Sequence, residues 1–264
     1  MEYKKTIVQI EEQHLWKDKI IHSIIFFMLA LSVVNNALYA GDAAELNFIG
    51  FSNNGNYLAF EQYGIQDGSG FAYSEIILID VPDNSFAYSA ITSRAEDEHI
   101  TLESARDYTM MSALSKLDAL SIVTGNTGDH VICHPLSDLE ADPRYVRFNE
   151  RSGGIPGLSG FREYAVTLNE IEVISDEDGY GYEFGPPKML ELSIGTPGTN
   201  DIIVLQRDTK PPKRRGHVYS YRICDVYLYH YTEHLYIAVL INYSMLGFEG
   251  PDMRFMAITG ELDF

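Results

Sequence analysis

Positive charge is scarce in this chain of 264 residues: 19 lysines and arginines stand against 38 aspartates and glutamates, for a formal net charge of −19. A nucleic-acid binder needs a basic footprint to displace counterions from phosphates, so a role on DNA or RNA is excluded. Binding to an anionic membrane surface is disfavoured for the same reason. Cysteine is scarce too. Cys133 and Cys224 are too few for a disulfide scaffold in a chain of this length. They are a possible disulfide in an oxidising compartment, or two separate thiols behaving as small hydrophobes. The single tryptophan is Trp16. Catalytic signatures are missing as well: no G-x-S-x-G elbow, no H-E-x-x-H, no phosphate-binding glycine loop. No catalytic residue, metal or cofactor is therefore assigned. Wholesale disorder is excluded by a hydrophobic content of 45%.

Lys17-Asp18-Lys19 precedes an apolar run from Ile20 to Val34, then Asn35-Asn36 and the small-residue end Ala37-Leu38-Tyr39-Ala40. A basic start, an apolar stretch of roughly 7–15 residues and a small-residue cleavage site compose a secretory signal. A retained anchor is the rival, but a spanning helix needs about 20 apolar residues and Asn35-Asn36 cut this run short. The expected organisation is a signal peptide with a long leader over 1–40, cleaved after Ala40 or, second, after Ala43. A single β-rich extracytoplasmic domain over 41–264 follows. Glu2, Glu11, Glu12 and Asp18 balance Lys4, Lys5, Lys17 and Lys19, so the domain carries the whole acid excess.

Within that domain, period-2 patterns predominate. Strands are expected at 46–51, 57–63 and 74–81, with Asn53-Asn54-Gly55-Asn56 turning between the first two and a weaker fourth strand after Pro82-Asp83-Asn84. Strands recur near 130–134, at 161–174, 189–194 and 201–206, and at 219–229, 235–243 and 254–259. Asp176, Asp178 and Gly179 read as a hairpin turn, since a calcium loop starting at Asp176 would end on Pro187 instead of Glu. A Pro-rich basic connector, KPPKRRG, runs from Lys210 to Gly216. Residues 103–119 alone show a helical period, with Thr101 as cap and Met110, Met111, Leu114 and Leu117 near one face. The fold class is mainly β: antiparallel β-meanders forming a propeller-like or sandwich-like single domain with one main helix near 103–119. Laying residue 63 on residue 243 aligns Tyr63 with Tyr243 and Gly70 with Gly250, a weak internal repeat.

The stretch GFSNNGNYLAF…SEIILID, Gly50 to Asp80, resembles one blade of the Tol-associated β-propeller repeat, with Asn53-Asn54 in place of Pro-Asp. Nearly the whole domain resembles a bacterial family of predicted secreted (periplasmic) proteins of unknown function. FIGFSNNGNYLAFEQYGIQDGSGFAYSEI, RRGHVYSYRICDVYLY and LGFEGPDMRFMAITGEL carry that likeness. It implies export and a single domain, and no activity.

Candidate chemistry is sparse. His130 and Cys133-His134 could supply metal ligands, as could His230 and His234, but on strand segments a spacing of four puts only two ligands on one face, whereas a structural zinc takes four. Tyr219, Tyr221, Tyr227, Tyr229 and Tyr231 alternate, as one face of a strand requires. The best polar constellation joins Glu61, Asp67 and Glu75 in the first block to Glu249, Asp252 and Arg254 in the last. It is read as a candidate binding site, against turn formers and solvated charges as the plainer account. Loops 64–73 and 244–253 are expected to lie within contact range, with Arg254 paired to Glu249, Asp252 or Glu75. Two functions stay open. One is a periplasmic or secreted binding or interaction module for an envelope protein or small ligand, without stable membrane insertion after signal cleavage. The other is an extracytoplasmic carboxylate-dependent hydrolase, which needs two carboxyls facing one cleft.

Overall fold

The computed structural model describes residues 41–95, 99–151, 161–173, 185–247 and 250–262. The expected signal segment 1–40, the acidic turn at Asp176, Asp178 and Gly179, and the candidate site residue Glu249 lie outside them. The described residues form three antiparallel sheets and one long helix. The N-terminal sheet contains β1 (Glu45–Phe51), β2 (Tyr57–Ile65), β3 (Ala72–Asp80), β4 (Ser85–Phe86) and β5 (Ile91–Arg94). The helix α1 (Leu102–Ala119) and strand β6 (Asp129–Cys133) follow. The distal sheet is the meander β7 (Tyr145–Arg151), β8 (Phe161–Glu172), β9 (Lys188–Gly195) and β10 (Ile202–Arg207). The central sheet holds β11 (Val218–Tyr231), β12 (His234–Leu246) and β13 (Pro251–Glu261), with β6 paired to the outer side of β11.

These layers stack in the order helix, N-terminal sheet, central sheet, distal sheet, a sandwich-like arrangement. Leu190, Leu192 and Ile194 of the distal sheet meet Ile223, Val226, Val239 and Ile241 of the central sheet. On its other face the central sheet presents Tyr236, Ala238, Leu240 and Phe255 to Phe51, Leu58, Phe60 and Ile77. Burial on both faces explains why β12 reads as a near-continuous apolar run, Tyr236 to Ile241, rather than an alternation. The distal sheet is covered on one face only, and β9 alternates accordingly.

Helix α1 starts where expected: the Thr101 side chain accepts from the Ser104 N–H at 3.2 Å. Its packed face differs from expectation. Ala105, Thr109, Ala113 and Leu117 are buried, while Met111 is 73% and Leu114 51% exposed. Small side chains at i, i+4 and i+8 let the helix lie close on Ala59, Ile76 and Leu78. The tyrosine stripe of β11 is broken too. An irregularity between Ile223 and Asp225 inserts Cys224 and reverses the alternation. Tyr221 therefore joins the core toward the distal sheet, and Tyr227 the core toward the N-terminal sheet.

Gly55 is fixed by its surroundings. Its φ is 77°, and a Cβ there would lie 2.7 Å from the Tyr229 ring and 2.6 Å from the Tyr236 ring. The β1–β2 turn thus docks on the central sheet only with glycine at this position.

Candidate functional site

The predicted constellation separates into three places. Glu61 faces the helix. Its buried carboxylate takes both ends of the Arg106 guanidinium, at 2.9 and 2.8 Å, together with Asn47 Nδ2 at 3.1 Å and Ser74 Oγ at 3.0 Å. Arg106 also lies 3.7 Å above the Tyr63 ring centre. Burial pushes the Glu61 carboxyl up, but these hydrogen bonds and the Arg106 charge outweigh it and leave the group below its ordinary 4.5. A depressed folded value contributes stability that is complete above the unfolded value near 4.5 and is lost as pH falls through the lower folded one. Urea unfolding across that acid range should therefore give a steeper loss of stability for the parent than for Glu61→Gln. Equal slopes would show that the pair carries no acid-linked stability.

Asp67 and Asp252 line a shallow, open pocket with Asp42, Gln66 and Arg94. The loops of the first and last blocks thus meet, and Ala43 forms a parallel bridge to Met253 alongside them. Arg254 pairs chiefly with a residue outside the expected set. Its Nη2 lies 2.6 Å from Asp42 Oδ2 and 3.7 Å from Asp252 Oδ2, and its Nη1 donates to the Asp42 carbonyl at 3.0 Å. Cys133 is exposed, Cys224 is buried, and both are free thiols.

Glu75 is on the opposite face of the N-terminal sheet from Glu61, because the two strands pair Gln62 with Glu75 and Glu61 with Ile76. There it lines a cavity of about 700 Å³ between the N-terminal and central sheets. Phe60, Ile77, Ile79, Phe255 and Ala257 make the apolar wall. The connector from Lys210 to Arg215 closes one side. Lys210, Lys213 and Arg214 are exposed at the mouth, and none of the three forms an ion pair among the described residues. Arg214 stacks at 4.2 Å over Phe86. Arg215 is held inward by Asp208, with Nη2 2.6 and 2.7 Å from its two carboxylate oxygens and Nη1 donating to Tyr221 Oη at 2.7 Å.

The free edge of β13 runs along this cavity. Its outward N–H groups are capped by side-chain amides: Phe255 donates to Gln62 Oε1 at 2.8 Å and Thr259 to Asn84 Oδ1 at 3.0 Å. By the alternation of an antiparallel edge, Ala257 N–H falls in the same outward row between them. Gln62 is fixed in turn, its amide nitrogen donating to Glu75 Oε2 at 2.6 Å. Sequence reasoning found Glu75 but missed the rest of this site. A signal was present: a run of four basic residues, Lys210, Lys213, Arg214 and Arg215, is anomalous in a chain of net charge −19.

The layers define a three-sheet β protein with a cavity that is apolar inside and cationic at its mouth. The chain belongs to the family described as predicted secreted protein (DUF2259), which it matches over residues 59–261. Among curated proteins nothing matches it. Membership in a secreted family fits a periplasmic or secreted location, and among the described residues no helix is long and apolar enough to cross a membrane.

Proposed function

We propose that residues 41–264, released from a signal segment over 1–40, act as an extracytoplasmic binding module for an amphipathic acid. Its apolar body lies between the N-terminal and central sheets. Its anionic head meets Lys210, Lys213 and Arg214. The observation that carries this reading is the cavity itself: about 700 Å³ with an apolar wall and a mouth of unpaired cations, in an otherwise strongly acidic protein. A ligand of net positive charge would be drawn to the acidic exterior instead, whereas an anion finds favourable charge at this mouth. The Ala257 N–H offers one further donor inside. In this cavity binding is favoured over hydrolysis, because Glu75 is the single carboxylate among its described lining residues, with Glu61 on the other face of the sheet.

Titration calorimetry with dodecanoate, dodecanol and dodecyltrimethylammonium tests this reading. Dodecanoate should bind at least tenfold more tightly than the alcohol, the equivalent of about 1.4 kcal/mol, and the ammonium should bind least. Replacing Lys210, Lys213 and Arg214 together by alanine should remove the preference of acid over alcohol. Equal binding of the three compounds, or an unchanged preference in the triple variant, would overturn the assignment.

A further inference from the structure

We propose that His130, Cys133 and Asp225 form a binding site for one zinc-type divalent ion, at the edge of the central sheet and separate from the cavity. The Nε2 of His130 lies 2.8 Å from Asp225 Oδ1, and the donor atoms of all three residues lie within 4.8 Å of one another. A tetrahedral ion with bonds of about 2.0–2.3 Å would hold its donors about 3.3–3.7 Å apart, so the ion enters by opening the His130–Asp225 hydrogen bond slightly while the three donors stay together.

Two strand irregularities build the cluster. His130 and Cys133 are three residues apart, which on a regular strand puts them on opposite faces. On β6, however, Ile132 pairs with Val226 and His130 with Tyr227, so Val131 is an extra residue and the two side chains return to one side. On β11 the extra residue is Cys224, which re-aims Asp225 opposite Cys133. The His130 ring is held in place by stacking. It lies 4.2 Å from the Tyr227 ring at 13°, and Tyr227 lies 4.0 Å from Phe48 at 12°. A donor set this restrained is organised before any ion arrives.

The ligand types select the metal. Thiolate with imidazole suits zinc, while magnesium and calcium take oxygen ligands. On binding, the Cys133 thiol forms a bond from sulfur to the ion and releases its proton to water. The neutral His130 imidazole contributes a ring-nitrogen lone pair, and the Asp225 carboxylate an oxygen. The exposure of His130 and Cys133 leaves a fourth position for water. Cys224 cannot replace Cys133, since its side chain is buried in the core whereas that of Cys133 is exposed.

Cobalt(II) alone, added to the folded chain in a non-chelating phosphine reductant, is the probe. We expect one ion per chain, with a thiolate-to-cobalt charge-transfer band, tetrahedral visible bands and displacement by zinc. Cys133→Ser should abolish the charge-transfer band. His130→Gln and Asp225→Asn should each weaken binding at least tenfold, and Cys224→Ala should leave the band in place. The exposure of His130 and Cys133 keeps those two variants folded, which circular dichroism checks. Absence of the band in the parent, its survival in Cys133→Ser, or its loss in His134→Gln with retention in His130→Gln would overturn the site.

Discussion

Arg215→Ala is expected to lower the unfolding free energy by about 3–5 kcal/mol, the range for breaking a buried ion pair by removing one partner. The geometry is of the demanding kind. The Arg215 side chain is 11% exposed and that of Asp208 5%, with both carboxylate oxygens held at 2.6–2.7 Å. Without the guanidinium, Asp208 keeps the Leu190 N–H at 3.1 Å and the Gln206 amide at 3.1 Å, but its charge stays buried without a counterion. Tyr221 would keep its bond to the Lys188 carbonyl at 3.1 Å and lose the one from Arg215. Urea denaturation should show a lower midpoint at an unchanged slope. A loss below about 1 kcal/mol would place the pair in the solvated class. The change also has a functional reading. Arg215 anchors the segment that carries Lys210, Lys213 and Arg214 to the cavity mouth. Dodecanoate binding should therefore weaken in Arg215→Ala even where the fold survives, although the three cations themselves are untouched.

The elements legible in the sequence are those whose patterns arise locally. The Asn53–Asn56 turn, the Ile-rich strand from residue 74 and the Thr101 cap each follow from short-range chemistry, and the structure has them at β1–β2, β3 and α1. Strand β5 is not legible, because Ile91-Thr-Ser-Arg94 is too short to show a period. The packed face of α1 is not legible from hydrophobicity alone. Against a flat sheet, close approach mattered more, and Ala105, Thr109 and Ala113 won over Met111 and Leu114. The tyrosine stripe failed for another reason: a one-residue irregularity at Cys224 is invisible in composition, yet it flips every later side chain.

The candidate site was less legible than the fold because it depends on sheet stacking. Glu61 and Glu75 are close in sequence and oppositely directed in space. Lys210 to Arg215 are remote from Phe60 and Ile77 in sequence and line the same cavity. Strand parity could have separated the two glutamates, given the hairpin register of Tyr57 to Asp80. Nothing local could have placed the connector across the mouth, or Asp225 beside Cys133, because both follow from pairings between distant strands.

Arg254→Ala is expected to cost a comparable 3–5 kcal/mol, and its pH dependence identifies Asp42 as the partner. The Asp42 side chain is 2% exposed, and Arg254 is 16% exposed. Burial pushes the Asp42 carboxyl above its ordinary 3.8, against the charge of Arg254 and hydrogen bonds from Tyr73 and Arg254. The Tyr73 hydroxyl, driven well above its usual range chiefly by burial, stays protonated and donates to Asp42 Oδ1 at 3.0 Å. Removing Arg254 takes away the largest influence holding the carboxyl down, so its folded value rises further. A raised carboxyl binds more protons folded than unfolded, so the contribution it makes is present at low pH and is lost as pH rises through the folded value. The cost of Arg254→Ala should accordingly be greater at pH 7 than at pH 5, because the unpaired Asp42 carboxyl is a buried charge only where it is ionised. Asp42→Asn abolishes the buried charge while keeping an oxygen to accept from Tyr73. In that background Arg254→Ala should cost less, with a coupling of about 2 kcal/mol, inside the range found for residues in contact. Additivity within about 0.5 kcal/mol would instead mean that Arg254 acts through Asp252 or through the Met253 carbonyl, to which Nη1 also donates at 2.9 Å. The coupling matters for the architecture because Asp42 leads into the parallel bridge between Ala43 and Met253. That bridge covers the start of the free edge of β13, the same edge that Gln62 and Asn84 cap further along. Losing the Asp42–Arg254 pair should therefore expose the edge next to the cavity, and hydrogen exchange at Ala44 and Met253 N–H should rise before exchange in β12 does.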